Sequence, residues 1–281
     1  MRLGYHVPVS GGLLKAAQRA REIGCECLQI FPRNARGWRS RDYPATEVEA
    51  FRAAREAAGL APLVLHSNYL VNLASPNRAL LQQSRRVVVD DFARAALLGA
   101  RFVVTHPGHG VGDADLATGL ARLIKSVTWL LARLPADVEF LLENTAGGER
   151  QLGGEWEHFA HLLAAVDDHP RLGVCFDTCH AHAAGYRLDT PRAVGQALRG
   201  FDRVVGLDRL RLIHLNDCKG AAGEHRDRHA HLGAGTIGDA GLRSFLRRRE
   251  LSGRAAILET PVEEVEDDRR NLEHARGLRG G

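Results

Sequence analysis

Long apolar runs are missing from this 281-residue chain. None reaches the roughly 18 residues that a membrane helix needs, and the opening MRLGYHVPVSGGLL has no apolar segment behind a basic start. Neither a spanning helix nor a secretory leader is predicted, and the expected location is the cytoplasm. Lysine is also scarce, with Lys15, Lys125 and Lys219 the only three among 38 basic residues. A codon bias toward arginine accounts for that as well as phosphate binding does, so no function follows from it. The five cysteines (Cys25, Cys27, Cys175, Cys179 and Cys218) are odd in number and contain no C-x-x-C pair. That excludes a disulfide framework and a thiol redox motif, and leaves small core residues as the reading, with none assigned to a metal. No G-x-S-x-G elbow and no P-loop occur, which removes serine hydrolase and nucleoside triphosphatase chemistry. Gly233, Gly235 and Gly238 match G-x-G-x-x-G, but they lie well downstream of the seventh apolar run rather than directly after it, so a phosphate-facing or purely structural loop is expected rather than a dinucleotide site.

Six short apolar runs end on a residue able to bind a metal ion: LVLH at His66, FVVTH at His106, EFLLE at Glu143, VCFD at Asp177, LRLIH at His214 and AAILE at Glu259. Successive separations are 40, 37, 34, 37 and 45 residues by subtraction, room for one strand, one helix and their loops. LGYHVPV (3–9) and CLQIFP (27–32) precede them as two further strands, which makes eight, the number that closes a parallel barrel. The predicted fold class is therefore α/β, a single-domain (βα)8 barrel over residues 1–281. Strand C-termini meet on one face of such a barrel, so residues far apart in sequence become neighbours there. The hydrophobic share of 44% and charged share of 26% fit a globular chain with a real core. Between the strands the patterns predict helices: LLKAAQRAREIG stopping at Gly24, TEVEAFRAAREAAG capped by Thr46 and stopping at Gly59, and a longer one starting at Ser75–Pro76 and stopping at Gly99. The charged tail from about 262 to 281 is expected to be peripheral, covering the barrel bottom or fraying.

Two more segments carry chemistry. FDTCHAHAAGY sets His180 three residues after Asp177, and HLNDCKGAAGEHRDRHAHLGAG offers Asp227 and His229 as D-x-H in a long loop. Five histidines and four carboxylates exceed what one catalytic zinc uses, so more than one ion with shared carboxylates is expected. His6, His109, His182, His225 and His231 are read as ordinary solvated or hydrogen-bonded histidines. Carboxylates closing apolar runs differ, because burial without a partner is costly. The net charge of +4 is compatible with a polyanionic partner without requiring one.

In order along the chain, LHSNYLVNLASP, THPGHG, LLENTAG, GVCFDTCHAHAAGY, HLNDCKGAAGEHRDRHAHLGAGTIG and ILETP resemble the signature segments of the endonuclease IV family of apurinic/apyrimidinic endonucleases. The likeness runs from LGYHVPVSGGL to Glu259. It implies a TIM barrel of the xylose-isomerase-like group holding three zinc ions, with manganese possible at one site. His66, His106 and Glu143 would hold the first ion. Glu143 would bridge to a second on Asp177, His214 and Glu259, and His180, Asp227 and His229 would hold the third. The resemblance makes Glu143 the carboxylate beside the attacking hydroxide. The implied activity is cleavage 5′ to abasic sites in duplex DNA, leaving a 3′-hydroxyl and a 5′-deoxyribose phosphate, with removal of 3′-blocking groups at the same site by a monomer without membrane attachment. Arg36, Tyr69 and Leu70 would enter the minor groove at the lesion and Arg228 would face a phosphate. RNARGWRSR (33–41) is expected to grip phosphates with Trp38 as anchor. Gly37, Asn68 and Arg187 depart from the residues the resemblance would place there. The alternative is a metal-dependent sugar isomerase or epimerase on the same kind of barrel, which needs fewer ions and has little use for Asp227 and His229.

Overall fold

The computed structural model describes residues 1–110, 115–264 and 266–280. Eight parallel strands close into a barrel: β1 (Arg2–His6), β2 (Cys27–Ile30), β3 (Leu63–His66), β4 (Phe102–Thr105), β5 (Glu139–Glu143), β6 (Leu172–Asp177), β7 (Leu210–His214) and β10 (Ala255–Leu258), with β10 pairing back onto β1. Among the described residues two further strands, β8 (Asp217–Cys218) and β9 (His229–Ala230), form a small antiparallel ribbon in the loop after β7. D-x-H is therefore not in a free loop. Cys218 is paired with His229 in register, which fixes one of the two residues on a strand.

Side chains alternate across each barrel strand, and the sequence uses that period throughout. Cys27, Val64, Phe102, Val104, Leu141, Cys175, Leu212, Ala255 and Ile257 point into the barrel and pack there as a core separate from the larger one between sheet and helices. Two positions beyond Val64, Val104, Leu141, Cys175, Leu212 and Ile257 stand His66, His106, Glu143, Asp177, His214 and Glu259. Those six apolar inward residues thus carry a metal-binding type on the next rung up, at the mouth. All five cysteines are buried, two of them in the barrel interior.

The helices that return the chain are α1 (Leu13–Glu22), α2 (Ala45–Ala57), α3 (Arg78–Leu98), α4 (Leu116–Leu131), α5 (Trp156–Ala165), α7 (Pro191–Val204), α8 (Gly238–Leu246) and α9 (Asp267–Arg279), with the short α6 (Thr178–Ala183) at the mouth. Gly24, Gly59 and Gly99 all take positive φ just past their helices, as expected of glycine stops. The starts differ from expectation. Helix α2 begins after Pro44 with no side-chain cap, and Thr46 lies inside it. Helix α3 is capped by Asn77, whose side chain accepts from the Leu80 amide, rather than by Ser75. A proline disfavours helical geometry in the residue before it, so the cap falls on the next side chain that can reach a free amide, Asn77. The tail is ordered as α9, with Leu272, Ala275 and Leu278 buried. Its charged composition hides an apolar stripe at spacings of three, enough to dock it on α8 and β1. Among the described residues no helix is long and apolar enough to cross a membrane.

Candidate metal centre

Nine residues meet at the barrel mouth: six on or directly after barrel strands, His180 on α6, and Asp227 and His229 just before and at the start of β9. Among the described residues, three donor sets without cysteine form, each with ligand atoms within 4.8 Å of one another: His66, His106 and Glu143; Glu143, Asp177, His214 and Glu259; and His180, Asp227 and His229. Glu143 belongs to two of them. Its Oε2 lies 3.0 Å from His66 Nε2 and 3.5 Å from His106 Nε2, and its Oε1 lies 3.1 Å from His214 Nδ1. Glu259 Oε2 is 3.2 Å from the same His214 nitrogen. Asp227 Oδ1 sits 3.2 Å from His180 Nε2 and 3.3 Å from His229 Nε2, although its side chain is 57% exposed.

A polar shell holds these groups in place. His66 Nδ1 faces Ser67 O at 2.6 Å, His180 Nδ1 faces Asn144 O at 2.9 Å and His229 Nδ1 faces Glu259 O at 3.0 Å. A ring nitrogen that donates to a carbonyl leaves the other nitrogen's lone pair for the cavity. Asn216 Nδ2 donates to Asp177 Oδ2 at 2.6 Å, and its Oδ1 accepts from the Glu259 amide at 2.8 Å. Asn144 accepts from the Asp177 amide at 2.7 Å, and the Asp177 Oδ1 accepts from the His180 amide. His6 and Gln29 also line the centre, although the apolar-run pattern does not single them out. His6 Nδ1 is 3.0 Å from Glu259 Oε1, and Gln29 reaches both His6 and His214. Both residues share the strand period of the others, standing two places after the inward Gly4 and Cys27 on β1 and β2, but neither closes an apolar run. The remaining four default histidines do lie elsewhere: His182 accepts from the Leu188 amide, His225 faces Ala146 O, His231 meets Asn271, and His109 bridges to Gln151.

The donor set fits a cation on direct structural grounds. Glu143 Oε1, His214 Nδ1 and His229 Nε2 are buried with no hydrogen-bond partner, the first two 3.1 Å apart without hydrogen-bond geometry. Each unmet buried group costs about 1–3 kcal/mol, and three in one cavity are what lone pairs aimed at shared ions look like. The mixed nitrogen and oxygen donors suit zinc. Burial works to raise the Glu143 carboxyl, but the facing His214 and His106 outweigh it and hold it well below the usual range. Burial likewise works to lower His180 and His214, and the surrounding acids override it: Asp177 and Asp227 for His180, Cys175, Glu259 and Glu143 for His214, so both rings are pushed well above the ordinary histidine value. Cys179 also comes within 4.8 Å of Asp177 and His229 donors. A hydrogen bond with Cys218, and then burial, raise its thiol strongly, which keeps it protonated and a poor ligand.

The residues expected to touch DNA stand on the rim. Arg36 is exposed on the loop after β2, Tyr69 is 57% exposed after β3 with Leu70 half-buried beside it, and Arg228 is exposed between Asp227 and His229. The Tyr69 ring lies 6.5 Å from that of His106 at 20°. Trp38 packs against the main core, as an anchor would. The Gly233–Gly238 segment wraps a carboxylate of the protein's own: Asp217 accepts from the amides of Gly233, Gly235, Ile237 and Gly238. An internal anion occupies the amide nest a phosphate would need.

A family description for xylose isomerase-like TIM barrels matches residues 17–279. A probable endonuclease 4 from Methanoculleus marisnigri is 40% identical over 279 residues, covering 99% of both chains. The crystal structure of endonuclease IV from Thermus thermophilus superposes with a TM-score of 0.86 at 38% identity, covering 99% of this chain and 98% of that one. D-psicose 3-epimerase from Clostridium cellulolyticum H10 superposes with a TM-score of 0.73 at 15% identity and covers 99% of this chain and 98% of its own, a likeness of fold alone.

Proposed function

The chain belongs to the endonuclease IV family of the xylose isomerase-like TIM barrels, and from that premise we propose that it is a zinc-dependent DNA-repair endonuclease. In this reading it hydrolyses the phosphodiester bond 5′ to abasic sites in duplex DNA, leaves 3′-hydroxyl and 5′-deoxyribose phosphate ends, and clears 3′-blocking groups at the same site. It works as a cytoplasmic monomer, with residues 1–281 as one domain. The observation that carries the reading is the convergence of three donor sets, two of them sharing Glu143, with unbonded buried donor atoms among them.

His66, His106 and Glu143 would hold one zinc, Glu143, Asp177, His214 and Glu259 a second, and His180, Asp227 and His229 a third. When bound, the ions supply Lewis-acid polarisation of the phosphodiester and a water acidified toward a pKa of about 7. Four carboxylates against three divalent ions leave about two positive charges, a seat for an anionic phosphodiester. Glu143, with one oxygen toward His66 and the other toward His214, fixes the spacing of the two sets it joins. Asn216, Asn144 and Gln29 hold the carboxylates and rings in one orientation, so no reorganisation is needed when substrate arrives. Tyr69, Leu70 and Arg36 wedge the minor groove at the lesion and hold the displaced sugar toward the mouth, while Arg228 grips a backbone phosphate.

The test is incision of a duplex carrying one synthetic abasic residue, with end analysis and metal analysis on the same preparation. Expected are a nick on the 5′ side, three zinc ions per chain, loss of activity on prolonged chelation and recovery with zinc. Absence of nicking in zinc-replete buffer, or turnover of a free ketose instead, would overturn it.

A further inference from the structure

Beneath the rim, one buried carboxylate ties the two loops that carry Arg36 and Tyr69 to each other. Asp91 on α3 is fully buried. Its Oδ1 accepts from Arg33 Nη2 at 2.6 Å and Nε at 3.1 Å, and its Oδ2 accepts from Ser67 Oγ at 2.8 Å. Arg33 begins the basic stretch after β2, and its side chain is buried. Ser67 is also fully buried and directly follows His66, whose ring faces the Ser67 carbonyl. Arg33 reaches further to Asp90 at 2.7 Å and to the Trp38 carbonyl at 3.4 Å.

Above this anchor the two loops touch directly. The Tyr69 amide donates to Ala35 O at 3.0 Å, and Asn68 Nδ2 donates to Gly37 O at 2.6 Å. Arg36 lies between those two carbonyls in sequence. Its side chain makes no hydrogen bond or ion pair with any described residue, and only its amide is tied, to Asn34 Oδ1. The tip that carries Arg36 is thus a free side chain on a backbone pinned at both flanks. Burying an arginine and an aspartate together is costly unless both are well bonded, and here every bond they make runs to α3, Trp38 or Ser67. The pair adds no contact to the metal cluster.

We propose that Asp91 is a positioning residue for lesion recognition: by bridging Arg33 and Ser67 it fixes the gap between Arg36 and the Tyr69–Leu70 wedge, and so sets affinity for the lesion rather than the chemical step. The inference rests on the reading of this protein as an abasic-site endonuclease. Preorganised binding groups lower the ordering cost paid on association, so loosening the bridge falls on KM.

The experiment is a double-mutant cycle in incision kinetics on abasic duplex, with metal analysis of every variant. Asp91→Asn keeps the shape but loses the charge that holds Arg33. It is expected to raise KM about tenfold, a coupling within the usual range for linked residues, with kcat within about twofold and zinc content unchanged. In an Arg36→Ala background the same substitution is expected to raise KM less than about twofold, because the contact it positions is already gone. Equal KM penalties in both backgrounds would overturn the proposal, as would a fall in kcat accompanied by zinc loss, which would make Asp91 a support of the metal cluster. Ser67→Ala, which removes one leg of the bridge and keeps the ion pair, covers the case in which Asp91→Asn does not fold; it is expected to show the same background dependence at smaller size, and additivity there overturns the proposal too. Wild-type incision judges the enzymatic reading separately, since it can succeed while the cycle fails.

Discussion

Gln29 Nε2 donates to Glu259 Oε1 at 2.7 Å across 230 residues of sequence, and its own Oε1 accepts from His214 Nε2 at 2.9 Å. One fully buried amide therefore orients two donors of the same set and fixes which nitrogen of His214 faces the cavity. Gln29→Ala is expected to lower zinc affinity or incision by about 10- to 100-fold, the usual cost of losing such a partner. Competition with a chelator of known affinity checks it, and an unchanged zinc constant together with unchanged rate would show that the amide is dispensable.

Glu143→Gln removes a charge shared by two donor sets. Incision is expected to fall by at least about 100-fold, beyond the loss from the surrounding shell, while affinity for abasic duplex falls far less. Single-turnover rates beside a gel-shift titration separate the two, and full activity in the variant would refute the bridging role.

In the proposed centre, protons and zinc would compete for His180 and His214. Because their pKa values in the metal-free protein are raised by the facing acids, those charge pairs stabilise the metal-free fold fully below the ordinary histidine value and fade as pH rises through the raised one. Zinc must displace those protons, so its stabilisation grows with pH. The zinc-induced rise in Tm is expected to be larger at about pH 8.5 than at about pH 6. Calorimetry of chelated and zinc-loaded protein at both values is the check, and a shift that shrinks with pH would contradict it.

Gly235 packs its α-carbon against the loop's buried anion. A Cβ there would lie 2.4 Å from Asp217 Oδ1 and 2.4 Å from the Cys218 carbonyl, with backbone on one side that cannot move aside. Gly235→Ala is expected to cost roughly 1–3 kcal/mol, as overpacking does, visible as a Tm several degrees lower. Wild-type Tm in the variant would mean that the loop shifts freely.

Much of the barrel and the centre was readable because strands alternate with a period of two and a barrel aligns their ends. His66, His106, Glu143, Asp177, His214 and Glu259 announce themselves as polar residues closing apolar runs. His6 and Gln29 obey the same period but sit on strands whose inward neighbours are Gly4 and Cys27, so no strongly apolar run frames them. The α3 cap went to Asn77 and the tail became α9 because capping depends on which side chain reaches a free amide, and docking on a narrow apolar stripe, neither of which composition records.

By itself the chain's alternation determined that six inward rungs would end on metal-binding groups at one level, since side-chain direction along a strand is a local property. Only the closed barrel decided which atoms face one another: that Glu143 divides its oxygens between His66 and His214, that Asp217 fills the glycine nest, and that Asp91 joins Arg33 to Ser67. Those pairings span tens to hundreds of residues, and their distances depend on strand register and loop packing that no local pattern encodes.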